Sequence, residues 1–325
     1  MKRQKITIAL LIVISIAINC FNTPLQVHAK KGSKDSESYL EIESQEIGTN
    51  KTKKYKLKSN SDDVYVPILK GSQGKINKDL KSYSANRKDS DAEAVLDNDG
   101  RNEVTNTGRV PYRYIGQIVC TYKRKNNTQF TSLGTAFLVG ESIILTCAHC
   151  VYSNDGTLVS AYFYPAQNGY GNRPYKYKCS TVHVPANYKT AIANNNATNK
   201  EKYDYAVVEL TQKAGAKLGY FALGGYKTNY NDSYLIGKKC TVVGYPGEKA
   251  GKLYRHKGSI RSFNDGKYTM SYRMDTTPGQ SGSPVIHVAK GQYYVVGIHR
   301  ATNGIDQNYA RYITKNIYEL VKKLR

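Results

Sequence analysis

Three short stretches of the chain each hold one residue type that takes part in acyl-transfer chemistry. LTCAHC holds His149, KYDYAVVEL holds Asp204 and PGQSGSP holds Ser281. A serine hydroxyl becomes a nucleophile when a base removes its proton, and an imidazole oriented by a carboxylate is such a base. Each residue also has an ordinary interpretation as a strand end, a turn former or a tight turn. Their joint occurrence predicts a catalytic His–Asp–Ser triad.

The loop that holds Ser281 is rich in glycine. Gly279 lets the backbone turn so that its N–H and that of Ser281 point at one spot, where they would hold an oxyanion; one such donor contributes roughly 3–4 kcal/mol. Gly282 leaves room for the backbone beyond the nucleophile. The nucleophile elbow of α/β-hydrolases is a poor match, because it needs glycine where Ser283 stands and an Asp followed by a His later in the chain.

The elements that must position these residues are short strands. From residue 94 onward, runs rich in Val, Ile, Tyr and Thr are separated by Gly, Asn, Asp and Pro, which predicts an all-β sandwich or barrel. His149 follows the apolar run SIILT, and Asp204 precedes AVVEL. Residues 313–324 alone have helical spacing, with the apolar residues on one face.

The first 93 residues have a different character. Residues 1–29 have a charged start, an apolar core of 13 residues and a small-residue end, so they predict a secretory signal peptide; a membrane anchor is the competing reading, but the core is short for a span. Residues 30–93 are polar, with the basic run KTKKYKLK. They are typical of a loosely ordered segment, either a linker or a propeptide.

Composition narrows the partners and cofactors. The 48 Lys and Arg residues against 25 Asp and Glu give a net charge of +23, which favours an anionic partner, substrate or cell wall. The basic residues are scattered without a nucleic-acid-binding signature, so we expect no nucleic-acid function. No metal-ligand cluster is evident and a triad needs no cofactor, so we expect neither a metal nor a cofactor.

His183 and His256 are expected to be exposed or at strand edges. Disulfide connectivity stays open for the five cysteines that follow the signal: Cys120, Cys147, Cys150, Cys179 and Cys240.

The motifs as a set resemble those of chymotrypsin-fold serine proteases, and in particular the glutamyl endopeptidases of Gram-positive bacteria. Further matching stretches are AVLDNDGRNEVTNTGRVPYRYI (94–115), GYPG (244–247), MDTTPGQSGSPV (274–285) and RYITKNIYEL (311–320). The resemblance covers residues 94–325. It implies two six-stranded antiparallel β-barrels, roughly 94–210 and 211–312, with the triad in the cleft between them and a C-terminal helix.

The same resemblance implies a secreted monomer that acts on protein or peptide substrates with acidic residues and keeps no membrane attachment once the signal is removed. There is one departure from the family pattern. The bacillary relatives carry a cysteine ahead of TAFLVG that pairs with the cysteine after the catalytic histidine. Gly134 stands at that position here, which leaves Cys150 without its usual partner.

Two sets of residues give opposite indications of substrate. Asp275, six residues before Ser281, matches the acidic residue that selects Lys or Arg in trypsin-like enzymes. By resemblance, Thr276 and His299 match the pocket residues that bind a substrate carboxylate in glutamyl endopeptidases, and a hydroxyl and an imidazole N–H can satisfy such a buried group. We predict cleavage after Glu and less well after Asp. Specificity for Lys or Arg, a narrow toxin-like specificity and a non-catalytic basic secreted binding module are the alternatives.

The resemblance also suggests how the chain matures. The matched mature start places a junction at Glu93–Ala94, in a polar stretch suited to proteolysis, so residues 30–93 are predicted to be a propeptide. A Glu-specific enzyme could cut this junction itself. Gln280 stands where trypsin has the Asp that pairs with the new N-terminus. By resemblance, the α-amino group of Ala94 is expected to help bind the acidic side chain of the substrate instead.

Overall fold

The structure, a computed structural model, describes residues 38–59, 69–75, 98–224, 234–302 and 306–325. The predicted signal peptide and the Glu93–Ala94 junction lie outside these residues. In chain order the strands are β1 Ser38–Glu46, β2 Thr52–Ser59, β3 Asn102–Glu103, β4 Ile115–Lys123, β5 Gln129–Leu138, β6 Ile143–Thr146, β7 Thr157–Pro165, β8 Tyr177–Pro185, β9 Ala206–Leu210, β10 Ala222–Leu223, β11 Lys239–Gly244, β12 Tyr254–Asn264, β13 Thr269–Tyr272, β14 Pro284–Ala289, β15 Gln292–Thr302 and β16 Asn308–Tyr312. The helices are α1 Ala148–Val151, α2 Ala186–Ala193, α3 Ala197–Lys202, α4 Ala214–Leu218 and α5 Lys315–Leu324.

Two closed antiparallel barrels of six strands each form the body of the fold. The first runs in the order β8-β7-β4-β5-β6-β9 and closes because β9 pairs back with β8. The second runs β15-β14-β11-β12-β13-β16 and closes through β16 and β15. Closure pairs the first and last strands of each barrel, and the inward residues of each strand fill a packed interior. The predicted fold class is confirmed.

The C-terminal helix is confirmed with the predicted apolar face. α5 begins after Thr314, and Ile317, Leu320 and Val321 are buried. The short helices α1 to α4 were not predicted, because segments of four to eight residues carry too few turns for an apolar period to show. In the part of the chain that the structure describes, no helix is long and apolar enough to cross a membrane.

The expectation that residues 30–93 are loosely ordered is wrong for residues 38–59. These residues form an antiparallel hairpin of β1 and β2, and β1 also pairs with β8 of the first barrel. Leu40, Ile42 and Leu57 are buried. The basic run KTKKYKLK lies largely in β2, where lysines alternate with Tyr55 and Leu57. The polar composition of the whole segment obscured this alternation of polar and apolar side chains, which is the period of two expected for a strand.

Candidate active site

His149 and Asp204 are brought together by two paired strands of the first barrel. His149 lies in α1, directly after β6, and Asp204 lies just before β9; β6 and β9 pair from Ile143–Glu209 to Thr146–Ala206. The ring Nδ1 of His149 is 2.8 Å from Asp204 Oδ2, and the His149 backbone N–H donates to Asp204 Oδ1 at 3.1 Å. The carboxylate therefore fixes both the orientation of the ring and its tautomer, with the proton on Nδ1.

A third group, Arg300, shares this carboxylate. Arg300 Nε donates to Asp204 Oδ2 at 3.2 Å. Burial opposes ionisation of Asp204, but the charges of His149 and Arg300 and the hydrogen bonds from His149 hold the pKa of Asp204 well below its usual range. Burial likewise opposes protonation of His149, but Asp204, followed by Cys150, raises the pKa of His149 well above its usual value.

Ser281 lies in the loop between β13 and β14, next to β5 and β15. Its backbone oxygen accepts hydrogen bonds from the Thr135 N–H at 2.8 Å and from Cys150 Sγ at 3.4 Å. Its hydroxyl donates to the Arg300 backbone oxygen at 3.4 Å, which is long for an O–H donor. Among the described residues it makes no hydrogen bond to His149, and such bonds often tighten only when substrate is bound.

The glycines of this loop occupy conformations and spaces that a side chain would not tolerate. Gly279 and Gly282 have φ of 95° and 89°. A Cβ at Gly282 would lie 2.0 Å from the Thr135 backbone oxygen. The N–H groups of Gly279 and Ser281 donate to no described residue.

Arg101, which was not predicted from the sequence, hydrogen-bonds two residues of the same loop. Its guanidinium is fully buried and donates to Thr277 Oγ1 at 2.6 Å and to Gln280 Oε1 at 3.1 Å. It also pairs with Asp99 and Glu248. Burial opposes its charge, but these two carboxylates raise the pKa of Arg101. Gln280 has no charge with which to form an ion pair, yet it binds a cation through its side-chain oxygen.

His299 lies on β15, beside the nucleophile loop. Its backbone N–H donates to the Ser283 oxygen and its oxygen accepts from the Gly282 N–H, both at 2.8 Å. The ring is buried, and Nδ1 is 2.7 Å from the Tyr272 hydroxyl. Burial, followed by the charges of His149 and Arg300, lowers the pKa of His299 to about 3. A hydrogen bond with the Tyr309 backbone acts in the opposite direction. A Tyr272 hydroxyl that donates to Nδ1 leaves the proton of the neutral ring on Nε2.

Thr276 and Asp275 precede the nucleophile loop, in the segment between β13 and β14, and their side chains differ in their hydrogen bonds. The Thr276 side chain is buried, and its hydroxyl makes no hydrogen bond with a described residue. The Asp275 carboxylate accepts from the Gly100 N–H at 2.9 Å and faces the His256 ring at 3.2 Å. The Asp275 carboxylate is therefore engaged within the protein.

The five described cysteines are unpaired. Cys147 Sγ donates to the His299 backbone oxygen at 3.1 Å, and Cys150 Sγ donates to the Ser281 backbone oxygen at 3.4 Å. The two thiols that flank His149 in sequence therefore contact β15 and the nucleophile loop. A hydrogen bond from Cys147 and, after the opposing effect of burial, the charge of His149 lower the pKa of Cys150. A Cβ at Gly134 would lie 2.8 Å from Cys150 Sγ, which is where the family cysteine would reach.

Cys147, His149 and Asp204 could also be considered as metal ligands, since one ligand atom of each lies within 4.8 Å of the others. The set does not fit an ion. The Nδ1 of His149 and the carboxylate of Asp204 are bonded to each other, and the fully buried Cys147 thiol is bonded to a backbone oxygen.

The comparisons with known proteins agree with this geometry. Residues 134–298 match the trypsin-like peptidase domain. The chain is 30% identical over 282 residues to a glutamyl endopeptidase of Bacillus licheniformis, covering 81% of this chain and 79% of that protein. It is 28% identical over 277 residues to a Bacillus subtilis protein named extracellular metalloprotease, covering 77% and 80%. A solved structure of a Glu endopeptidase in complex with MPD aligns with a TM-score of 0.56 and 26% identity, covering 71% of this chain and 98% of that one. The chain therefore belongs to the trypsin-like peptidases and is a serine endopeptidase of the glutamyl endopeptidase family.

Proposed function

We propose that this serine endopeptidase hydrolyses peptide bonds after Glu, and less well after Asp, with His149, Asp204 and Ser281 as its triad. His299 carries the specificity part of the proposal. It is a buried, neutral imidazole whose backbone is hydrogen-bonded on both sides to the nucleophile loop. A glutamate side chain beside Ser281 would find a hydrogen-bond donor at His299 and no free carboxylate at Asp275.

The first chemical step is proton transfer within the triad. With its Nδ1 proton held by Asp204 at 2.8 Å, His149 presents an unprotonated Nε2 as the base. The Ser281 hydroxyl leaves its weak bond to the Arg300 backbone oxygen and transfers its proton to Nε2 as Oγ attacks the scissile carbonyl carbon. The imidazolium that forms is stabilised by Asp204, whose low pKa keeps it ionised.

The second requirement is a place for the negative charge that develops on the carbonyl oxygen. The N–H groups of Gly279 and Ser281 donate to this oxyanion, and one such donor contributes roughly 3–4 kcal/mol. His149 then protonates the leaving amine, and the C–N bond breaks to give the acyl-enzyme. Water, deprotonated by His149, then attacks the ester carbon; the bond from this carbon to Ser281 Oγ breaks, Oγ takes the proton back from His149, and the acid is released.

Specificity follows from desolvation. A substrate carboxylate that enters a buried pocket needs hydrogen bonds to replace water. The Nε2–H of His299 and the hydroxyl of Thr276 can donate them. A bound carboxylate would also favour protonation of His299, which burial disfavours in the free enzyme. The shorter Asp side chain reaches this pair less well.

We further propose that the chain is secreted as a zymogen, with residues 1–29 as signal, residues 30–93 as propeptide and a cut near Glu93–Ala94. The basic composition, with a net charge of +23, suits an enzyme that attracts acidic protein or peptide substrates. The mature protein would act as a monomer, free of the membrane and without nucleic acid. The Ala94 amino group would assist in binding the acidic side chain.

A peptide panel tests the specificity. Five peptides that differ only before the scissile bond, with Glu, Gln, Asp, Lys or Phe, are compared by kcat/KM. We expect Glu to be cleaved fastest and Gln, its uncharged match, at least 100-fold more slowly, a difference of about 2.7 kcal/mol. Preference for Lys would instead favour Asp275 as the selecting residue.

A second experiment separates an enzyme from a binding module that retains an inactive triad. A serine-reactive organophosphate should label the wild-type protein once, and Ser281→Ala should remain unlabelled. Ser283→Ala is a matched control, because Ser283 is a fully buried hydroxyl in the same loop that donates to the Gln280 oxygen. Absence of labelling in a folded wild-type protein would favour the binding module.

A further inference from the structure

The β1–β2 hairpin, residues 38–59 and hereafter the N-terminal hairpin, occupies a specific place on the first barrel. β8 pairs with β7 only at Tyr177 and Lys178. Beyond that point β7 separates from β8, and β1 takes the vacated edge from Thr181 to Pro185. An unpaired strand edge of this kind is a template for strand addition. The hairpin therefore completes the sheet where the barrel leaves main-chain groups exposed.

The contact is also apolar. Leu40, Ile42 and Leu57 are buried and belong to the same hydrophobic cluster as Val182 and Val184 of β8. β2 packs against α5 as well. Burial of three aliphatic side chains in a shared core is typical of a permanent interface rather than of a transient contact.

Polar groups at this interface are matched across it. The Tyr55 hydroxyl is 3.1 Å from His183 Nδ1, and His183 Nε2 is 2.7 Å from Glu209 Oε1. Glu43 of the hairpin forms an ion pair with Lys189 of α2. The sequence-based expectation that His183 is exposed or at a strand edge is wrong: His183 is buried, and β8 is paired there with β9 on one side and with β1 of the hairpin on the other.

Residues 69–75, hereafter the second anchor, bind elsewhere on the protein. Leu69 and Leu223 exchange two backbone hydrogen bonds of 3.0 Å, and Ser72 and Tyr220 exchange bonds of 2.9 and 2.7 Å. Gly71 passes so close that a Cβ there would lie 2.5 Å from the Ala222 nitrogen. Further along, Arg113 Nη2 donates to the Gln73 oxygen at 2.7 Å, and Arg325 Nη1 donates to the Lys70 oxygen at 2.8 Å.

Both attachments precede residue 93, so a cut at Glu93–Ala94 would break neither. Two attachments on one fragment bind with the effective concentration of a linked pair. Neither the N-terminal hairpin nor the second anchor hydrogen-bonds His149, Ser281, Thr276 or His299. Their attachment is thus compatible with an occupied active site.

We propose that the N-terminal fragment stays bound to the protease after maturation, as an added pair of strands on the first barrel, so that the mature enzyme is a monomer of the protease chain that still carries its own cleaved N-terminal fragment. This inference rests on the proposed function only for the existence of the cut. It commits to one partner for the β8 edge, the hairpin of the same molecule. The secreted enzyme would then keep the β8 edge covered.

The test uses the full secreted chain with Ser281→Ala, in which residues 88–93 are replaced by the recognition sequence of a highly specific protease. The cut then does not depend on the protein's own specificity, so a wrong function proposal cannot mimic a wrong docking proposal. After complete cutting, size-exclusion chromatography and native mass spectrometry at micromolar concentration should give one species with both fragments. Separate elution of the fragments would overturn the proposal.

Two further measurements keep the test decisive. Ile42→Asp places a charge in the buried interface and should weaken retention at least 100-fold, whereas Tyr39→Asp, on an exposed position of the same strand, should not. If Ile42→Asp does not fold, hydrogen exchange on the parent decides. Those backbone amides of residues 181–184 that pair with β1 rather than with β9 should keep their protection after the cut, and loss of their protection would contradict a retained hairpin.

Discussion

Arg300 offers a direct test of how the base is tuned. Its guanidinium and the His149 ring bind the same Asp204 oxygen, at 3.2 and 2.8 Å, so the positive charge opposes protonation of the ring. Arg300→Gln removes the charge and keeps a side-chain N–H donor. Arg300→Lys keeps the charge and serves as the matched control.

The size of the effect can be worked from the shared oxygen. The two distances allow the Arg300 and His149 nitrogens to be at most about 6 Å apart, which at an effective dielectric constant of about 20 corresponds to ~3 kcal/mol. The His149 side chain is 35% exposed, so solvent screening leaves only a fraction of this, about 1 kcal/mol. The expected rise in the pKa of His149 is then roughly 0.5–1 unit.

The sign is unambiguous. His149 acts as a base only when neutral, so its raised pKa sets the acid limb of the kcat/KM profile. Removing a nearby cation raises that pKa further and moves the limb to higher pH. Just below the limb, kcat/KM should fall roughly 3–10-fold in Arg300→Gln, and well above the limb it should change little.

The assay is the pH dependence of kcat/KM for a Glu peptide between pH 5 and 10, which reports groups of the free enzyme. His299, with a pKa of about 3, and the substrate carboxyl, near 4.3, titrate below this range. Cys150 is common to all three proteins. An acid limb that stays in place or moves to lower pH in Arg300→Gln, or one that moves equally in Arg300→Lys, would refute the reasoning.

Three other changes give distinct expectations. His299→Leu should lower kcat/KM for a Glu peptide by about 10–150-fold, the loss of a hydrogen bond to a charged group worth about 1.5–3 kcal/mol, and should change cleavage after Gln far less. Arg101→Met, measured in a Ser281→Ala background to prevent autolysis, should destabilise the fold by about 3 kcal/mol because two carboxylates lose their buried partner; thermal unfolding within 1 °C of the parent would contradict this. Gly134→Cys should form a disulfide with Cys150, since a Cβ at 134 would lie 2.8 Å from Sγ and 3.2 Å from Cβ of Cys150, and the closed loop should add about 3 kcal/mol. Thiol counting under denaturing, non-reducing conditions checks it, with Gly134→Ser as the control.

Much of the architecture was predictable because its signals are local. Strand-forming runs, turn residues and the three motifs each lie within about ten residues, and barrel closure follows once the family pattern is matched. The N-terminal hairpin was missed for the opposite reason. Its two strands bury only Leu40, Ile42 and Leu57, and nothing in their own sequence states that β8 offers an edge to pair with.

The residues of the site also fall into those that a local motif predicts and those that depend on a distant partner. His149, Asp204, Ser281 and Gly279 were predicted because short motifs carry them. Arg101 reaches Gln280 across 179 positions, and no local pattern marks that partnership.

Arg300 and Cys150, which no short motif marks, bear on function because they act on the pKa of the base His149. Asp204 is shared by His149 and Arg300, so the guanidinium weakens the hold of the carboxylate on an imidazolium. Ionised Cys150, whose pKa is lowered by Cys147 and His149, would favour a protonated ring, whereas the thiol that donates to the Ser281 backbone oxygen carries no charge. A cysteine at position 134 would remove this ionisable group by cross-linking. Removing the Arg300 charge should therefore move the acid limb of the kcat/KM profile to higher pH, and removing the Cys150 thiol should not move it in that direction.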